Sequence, residues 1–230
     1  MMSRSKNILI AATLMLAMVL AVGCQPKAKG LSPREKKGFE RLAVMPFIIA
    51  QPDNPDKPEA TCAITGGCFN ASDVPAEAPR ILDRLLEKNL DKYCELPFVS
   101  ADQTGLVARE ALGRDVWLAD RQDIADIGRR LKVDAVLVGA VYRWQERVGG
   151  PLAAERPAAV TFELALVTSA DGSLLWTGNF DQAQQPLTDN WLNIEEYAQH
   201  GVQWFSVAQF ADIGMNTLMK GFPFRKKKGK

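Results

Sequence analysis

Histidine is nearly missing from this chain: His200 is the only one in 230 residues. A Ser/His/Asp arrangement would have to use it or not exist. It stands beside Gly201 in a polar stretch, the setting of a loop residue, and it cannot supply a paired-histidine metal helix. No glycine-rich phosphate loop and no nucleophile elbow occurs either. An excess of one charge is lacking as well. With 28 basic and 27 acidic residues the net charge is +1, and the two signs are interspersed. No general attraction to nucleic acid or to an anionic substrate follows. Only the end of the chain, Arg225-Lys226-Lys227-Lys228-Gly229-Lys230, is strongly basic. It can touch anionic headgroups or be solvated, and solvation is the expectation. No period of about 20 to 50 residues repeats, which excludes a solenoid or propeller.

What is present begins at the amino terminus. Arg4 and Lys6 precede Asn7 and an uncharged run from Ile8 to Gly23, the order of an export signal. The run is shorter than the roughly 20 residues that a spanning helix needs. It closes on Ala21-Val22-Gly23-Cys24, which resembles the lipobox of bacterial lipoproteins, with Ala21 where leucine is usual. The resemblance implies that residues 1–23 are removed and that Cys24 is acylated at its sulfur and at its new amino group. Two or three acyl chains, at about 0.8 kcal/mol per buried methylene, make an effectively permanent anchor. Gln25 after the cysteine resembles proteins forwarded to the outer membrane. The expected address is therefore a lipid anchor facing the periplasm, in the outer membrane rather than the inner.

With Cys24 assigned to lipid, Cys62, Cys68 and Cys94 remain in a compartment that permits disulfides. Cys62 and Cys68 are the expected pair, because Ile64-Thr65-Gly66-Gly67 between them can turn sharply. Cys94 is then left reduced and buried. The spacing does not suit a zinc knuckle, and neither a metal nor a cofactor is expected.

Residues 24–41 read as a polar spacer carrying Gly30, Pro33 and Gly38, about 15 residues long from Lys27 and reaching near 50 Å. Residues 42–221 read as one domain and 222–230 as a basic tail. Leu42 to Ala50 is a short apolar run, the mark of a buried strand, bent or ended at Pro46 because proline donates no ladder hydrogen bond. Residues 51–75, with Pro52, Pro55, Pro58 and Pro75, show no period and read as a long loop. From Ala76 to Tyr93, Ile81, Leu82, Leu85, Leu86 and Leu90 form a helical stripe opposite Arg80, Asp83, Arg84, Glu87 and Lys88. Phe98 to Ser100 is a short strand and Asp102 to Leu112 a helix. Arg121 to Leu131 is a further helix feeding the strongest strand, Ala135 to Trp144, which suggests an α/β layered unit. Ala159 to Thr168 alternates, with Val160, Phe162, Leu164 and Leu166 on one face and Thr161, Glu163, Ala165 and Val167 on the other. An Asp171-Gly172 turn returns it as Ser173 to Phe180, a β-hairpin. Residues 181–205 read as irregular, and Ser206 caps a last helix through about Lys220.

No carboxylate pair here has a reason to be a general acid and base; those of the first long helix alternate with bases like a solvated face. Trp191, Tyr197, Trp204 and Phe205 cluster in the irregular segment. They cover a sheet edge or, as aromatics do at hot spots, contact a partner.

The run Leu42-Ala43-Val44-Met45-Pro46-Phe47, the helix end Ile127-Gly128-Arg129-Arg130-Leu131-Lys132-Val133 before Asp134-Ala135-Val136-Leu137-Val138-Gly139, and Leu164-Ala165-Leu166-Val167 through Asp171-Gly172 to Leu175-Trp176 carry a resemblance. In this order they resemble periplasmic lipoproteins similar to the TolB amino-terminal domain, the curli-secretion lipoprotein CsgG and the LpoB-like activators of penicillin-binding proteins. The resemblance implies one α/β (α+β) domain with a small mixed sheet flanked by helices. It also implies a non-catalytic binding or assembly role at the cell envelope, with a protein partner such as a cell-wall synthase or a secretion component. The alternatives are an envelope hydrolase with an unidentified carboxylate site and a small-molecule or glycan binder. No nucleic-acid partner is expected. No segments of about 10 alternating residues exist to build a barrel wall. The Cys62 to Cys68 loop and residues 181–205 depart from the common pattern and are where a specific partner would be read.

Overall fold

The computed structural model describes residues 30–52, 54, 56–113, 119–150, 154–185 and 204–226. Two long apolar strands organise them. β6 (Ala135–Gln145) and β9 (Ala159–Thr168) are buried on both faces over nearly their whole length and pair antiparallel, Gly139 opposite Leu164. β9 returns as β10 (Leu174–Ala183), three residues beyond the expected end at Phe180. Gly172 sits at φ +71 in the turn, a conformation that costs glycine little, while the Asp171 carboxylate accepts the Ser173 N–H at 3.0 Å. On the other side of β6 lie β1 (Leu42–Val44) and β2 (Ile48–Ile49), both parallel to it, and β5 (Phe98–Val99) runs parallel to β1. The order β10-β9-β6-β1-β5 makes one mixed sheet, as the resemblance implied.

Pro46 does interrupt its strand. The pairing of β1 and of β2 with β6 differs in register by one residue across Met45–Phe47, so the break inserts a bulge. The Phe47 ring then turns inward over Gly139, where a Cβ would meet it at 2.5 Å. Glycine in the middle of the strongest strand is thereby explained: it makes room for the residue after the break.

Helices cover both faces. α2 (Ala78–Tyr93) and α5 (Val207–Met219) lie on the face that presents Leu137, Val141, Val160, Phe162, Leu164 and Leu166. Leu82, Leu86 and Leu90 are the inward stripe of α2, each worth about 1.5–3 kcal/mol on burial. α3 (Ala101–Leu112) and α4 (Arg121–Leu131) cover the opposite face, over Val136, Val138, Ala165 and Val167. Side chains start three of these helices: Ser100 caps α3, Asp120 forms a capping box with Asp123 on α4, and Ser206 does the same with Gln209 on α5. α4 ends on Lys132 in the left-handed region, φ 55, and turns directly into β6. There the Asp134 carboxylate accepts the N–H groups of Glu40 and Arg41 at 2.7 and 2.9 Å, which aligns β1 with β6. No helix among the described residues is long and apolar enough to cross a membrane.

Four expectations change. Residues 51–75 are not a plain loop, since they hold a hairpin of β3 (Glu59–Thr61) and β4 (Cys68–Asn70). The disulfide expected between Cys62 and Cys68 does not form, and both are free thiols. The hairpin explains why: Thr61 pairs with Cys68 and the Cys62 N–H donates to the Gly67 carbonyl, so strand alternation sends the two thiols to opposite faces. Cys62 points in, Cys68 points out, and Cys94 is buried and reduced as expected. The basic tail does not begin at 222, because Phe222 and Phe224 belong to the core. The spacer, finally, is tied down before residue 42: Ser32 caps the single helical turn α1 (Pro33–Lys36), and Leu31 and Phe39 pack on the core. A small two-stranded arm, β7 (Val148–Gly149) and β8 (Ala154–Arg156), follows β6.

Candidate functional site

A crevice of about 490 Å3 opens where β1 ends and α3 begins, lined by Glu77, Arg80, Asp83, Arg84, Glu87 and Asp102. In open α/β sheets this is where ligands bind: the crevice beyond the carboxyl ends of neighbouring strands whose connections leave on opposite faces. Here α2 follows β1 on one face and α3 follows β5 on the other. The sequence pattern places Asp83 and Glu87 on the polar side of α2. The structure instead sends both to backbone. Asp83 Oδ1 accepts the Phe47 N–H at 2.7 Å, the donor stranded by the break at Pro46, and Glu87 Oε1 accepts the N–H of Ala101, the first residue of α3, at 2.7 Å. Burial pushes the Asp83 carboxyl up to about 7; Glu87 and Asp102 add to this, while the Phe47 N–H and Arg80 oppose it. Reading Asp83 from sequence would have required linking Pro46 to a helix more than thirty residues away.

A second polar group lies under the β3–β4 hairpin. Glu163 on β9 is 5% exposed. The Tyr142 hydroxyl donates to Glu163 Oε1, and the Thr65 hydroxyl donates to Glu163 Oε2 at 2.9 Å. Burial raises the Tyr142 pKa, with the Glu163 charge acting the same way, so the phenol keeps its proton and remains a donor. Cys62 faces the same carboxylate; burial and then Glu163 raise its pKa, which keeps it a thiol. The hairpin thus closes over a carboxylate and supplies one of its donors, while the Phe69 ring packs on Tyr142 at 4.8 Å.

Beside Pro46 an apolar groove of about 360 Å3 is lined by Pro46, Phe47, Ile48, Gly105, Ala108 and Arg109. Leu106, next to it on α3, is 63% exposed. β2 forms one wall, with β6 on one side and no strand on the other among the described residues.

Of the residues expected at a partner surface, Trp191 and Tyr197 lie outside the described residues, as do Cys24 and His200. Trp204 is half-buried, and its carbonyl accepts from Arg147. Phe205 is 1% exposed and part of the core at the start of α5, so it is not available to a partner. Among the described residues no three His, Cys, Asp or Glu side chains are grouped to hold a metal.

No protein-family model and no curated protein matches the chain. Solved structures similar to it include the PelC dodecamer from Paraburkholderia phytofirmans, at 13% identity and TM-score 0.42, over 88% of this chain and 96% of that one. Lipoprotein GNA1162 from Neisseria meningitidis is similar at 12% identity and TM-score 0.41, over 70% and 96%. The LpoB C-terminal domain from Salmonella enterica is similar at 19% identity and TM-score 0.35, over 68% and 88%. Likeness at this level assigns neither family nor function.

Proposed function

We propose that this chain is a lipid-anchored, periplasm-facing lipoprotein of the bacterial envelope, in the outer membrane, that acts as a binding or assembly factor for a protein partner and not as a catalyst. The observation that carries this reading is the use made of the crevice carboxylates. Asp83 and Glu87 each hold a backbone N–H, at the break after β1 and at the start of α3. Such carboxylates position main chain. The lipobox-like Ala21-Val22-Gly23-Cys24 supplies the address, and the exposed Leu106 beside the apolar groove supplies contact surface. Trp191, Tyr197 and Trp204, from the segment that precedes α5, are further proposed contact residues. Cross-linking in intact cells followed by mass spectrometry should recover a discrete envelope protein, and L106E with W204A should reduce its yield about tenfold. Unchanged yield from that variant, or recovery of no partner, overturns the reading.

One observation favours the hydrolase alternative: an acid with a pKa near 7 in a crevice beside Glu87 and Asp102. D83N separates the two readings. Its amide oxygen still accepts the Phe47 N–H, so a binding factor keeps its cross-links, whereas a hydrolase loses turnover of envelope substrates.

A further inference from the structure

The basic end of the chain is built into the domain. The Glu95 N–H donates to the Phe224 carbonyl at 2.9 Å, the Lys226 N–H donates to the Tyr93 carbonyl at 2.6 Å, and Cys94 and Arg225 form an antiparallel bridge. These contacts seat the end of the chain on the carboxyl end of α2, whose outward carbonyls favour cations. The Lys226 ammonium accordingly donates to the Asp91 carbonyl at 2.8 Å. The Tyr93 ring carries Lys92 Nζ at 4.7 Å and the Arg225 guanidinium at 5.6 Å, and Arg225 Nη1 donates to the Lys220 carbonyl at 3.3 Å. Lys92, Arg225 and Lys226 therefore meet at one end of the domain, with the Lys220 main chain beside them and Asp91 and Glu95 as the nearby acids. The sequence continues as Lys227-Lys228-Gly229-Lys230.

The amino-terminal arm arrives at this same end. Phe39 packs on Phe224 with ring centroids 5.1 Å apart, and Leu31 packs on the same core. From Cys24 to Gly30 the chain can span only about 20 Å.

We infer that this basic end is a membrane-facing surface, which docks on anionic lipid headgroups beside the acyl chains of Cys24. The inference rests on the reading of Cys24 as a lipid anchor. Charge complementarity and the short arm together select a lipid surface over an acidic protein: the arm holds these bases next to headgroups permanently, and a tethered surface needs little intrinsic affinity. Each base near an anionic surface multiplies the docked population about fivefold, and salt screens the effect. Docking also fixes orientation, because the apolar groove beside α3 lies across the sheet from α2.

The test uses the mature protein purified from membranes and reconstituted into vesicles of phosphatidylcholine alone or mixed with phosphatidylglycerol. Intact mass first reads the acyl chains on Cys24, and hydrogen exchange then reads the amides of Glu95 and Lys226, which close the bridge. Both should exchange about tenfold more slowly on the anionic vesicles, and the difference should vanish at high salt. K92E/K220E/K226E should abolish it, while K57E/R130E/R156E, with the same charge change elsewhere, should retain it; equal melting temperatures confirm that both variants are folded. An unacylated Cys24 removes the anchor itself. An acylated protein whose exchange is the same on both vesicles, or whose difference survives the charge reversal, overturns the docking alone.

Discussion

The two faces of strand β9 are one residue apart in sequence, and at Phe162 and Glu163 they differ sharply in chemistry. Phe162, Leu164 and Leu166 enter a core of aromatic and aliphatic side chains beneath α2 and α5, where the Phe162 ring meets Phe47 and Phe180 at centroid distances of 6.2 and 5.8 Å. Thr161 and Glu163, their neighbours, enter the other face, where Glu163 is closed in by Tyr142 and by the hairpin tip at Thr65. The first face is held by area and shape, which tolerate no loss of volume. The second is apolar at Ala165 and Val167, but at Glu163 it is held by hydrogen bonds, which depend on each donor. A strand buried on both sides can therefore carry a rigid core and a specific latch at once.

The largest effect is expected where the first face is emptied. F162A should lower stability by about 3–5 kcal/mol in urea unfolding, through lost transfer energy and a cavity that the aromatic neighbours cannot fill. A loss below about 1 kcal/mol would mean that this face collapses freely and that the contrast between the faces is false.

How much of this was legible in sequence follows from the range of each interaction. The alternation of residues 159–168 and the Asp171-Gly172 turn are local, and the hairpin they define is present, with a register shift between Leu174 and Trp176. The stripe of α2, the boundaries of α4 and the Ser206 cap are local too and stand as read. The bend at Pro46 was visible, but its two consequences were not: Phe47 needed Gly139, and its N–H needed Asp83. The hairpin at residues 59–70 was hidden because its strands are three residues each and take their stability from Tyr142 and Phe69. The disulfide inference failed for a related reason: turn chemistry between two cysteines says nothing about the face to which each thiol points. Phe222 and Phe224 were lost in a tail judged by its lysines. The site residues were the least legible, since Asp83, Glu87 and Glu163 take their roles from partners far along the chain.

Asp83 is where the apolar face turns polar at its rim, and it sharpens the comparison through pH. Its folded pKa of about 7 lies above the ordinary aspartate value of 3.8. Between these values the folded chain keeps a proton that the unfolded chain has lost, so stability falls as pH rises from about 4 to about 7 and is level above that. The full shift would amount to about 4 kcal/mol at roughly 1.4 kcal/mol per unit. Because the crevice admits water, about 2–3 kcal/mol is expected. D83N cannot titrate, so its stability relative to the parent should rise by that amount between pH 4 and pH 8 in paired thermal melts. Parallel pH profiles for the two proteins would show that the rim is as solvated as the sequence pattern suggests, and would confine buried polarity to the hairpin face.

The smallest expected effect probes that hairpin face. Y142F keeps the ring against Phe69 and removes only the hydroxyl that donates to Glu163, at a cost of about 1–2 kcal/mol. T65V removes the second donor for about 1 kcal/mol, and does so from the hairpin rather than the sheet. The two donors serve different oxygens of one carboxylate, so each loss leaves that group more dependent on the other donor. The double variant should then cost about 0.5 kcal/mol more than the sum of the single changes. The Cys62 and Gly66 amides, which donate to the Gly67 and Cys62 carbonyls, should exchange faster in T65V than in Y142F, because the Thr65 hydroxyl ties the hairpin tip to Glu163. Additive costs with unchanged hairpin exchange would mean that Glu163 belongs to the sheet alone and that the hairpin merely covers it. Coupled costs with faster exchange would establish the carboxylate as the latch that holds residues 59–70 in place.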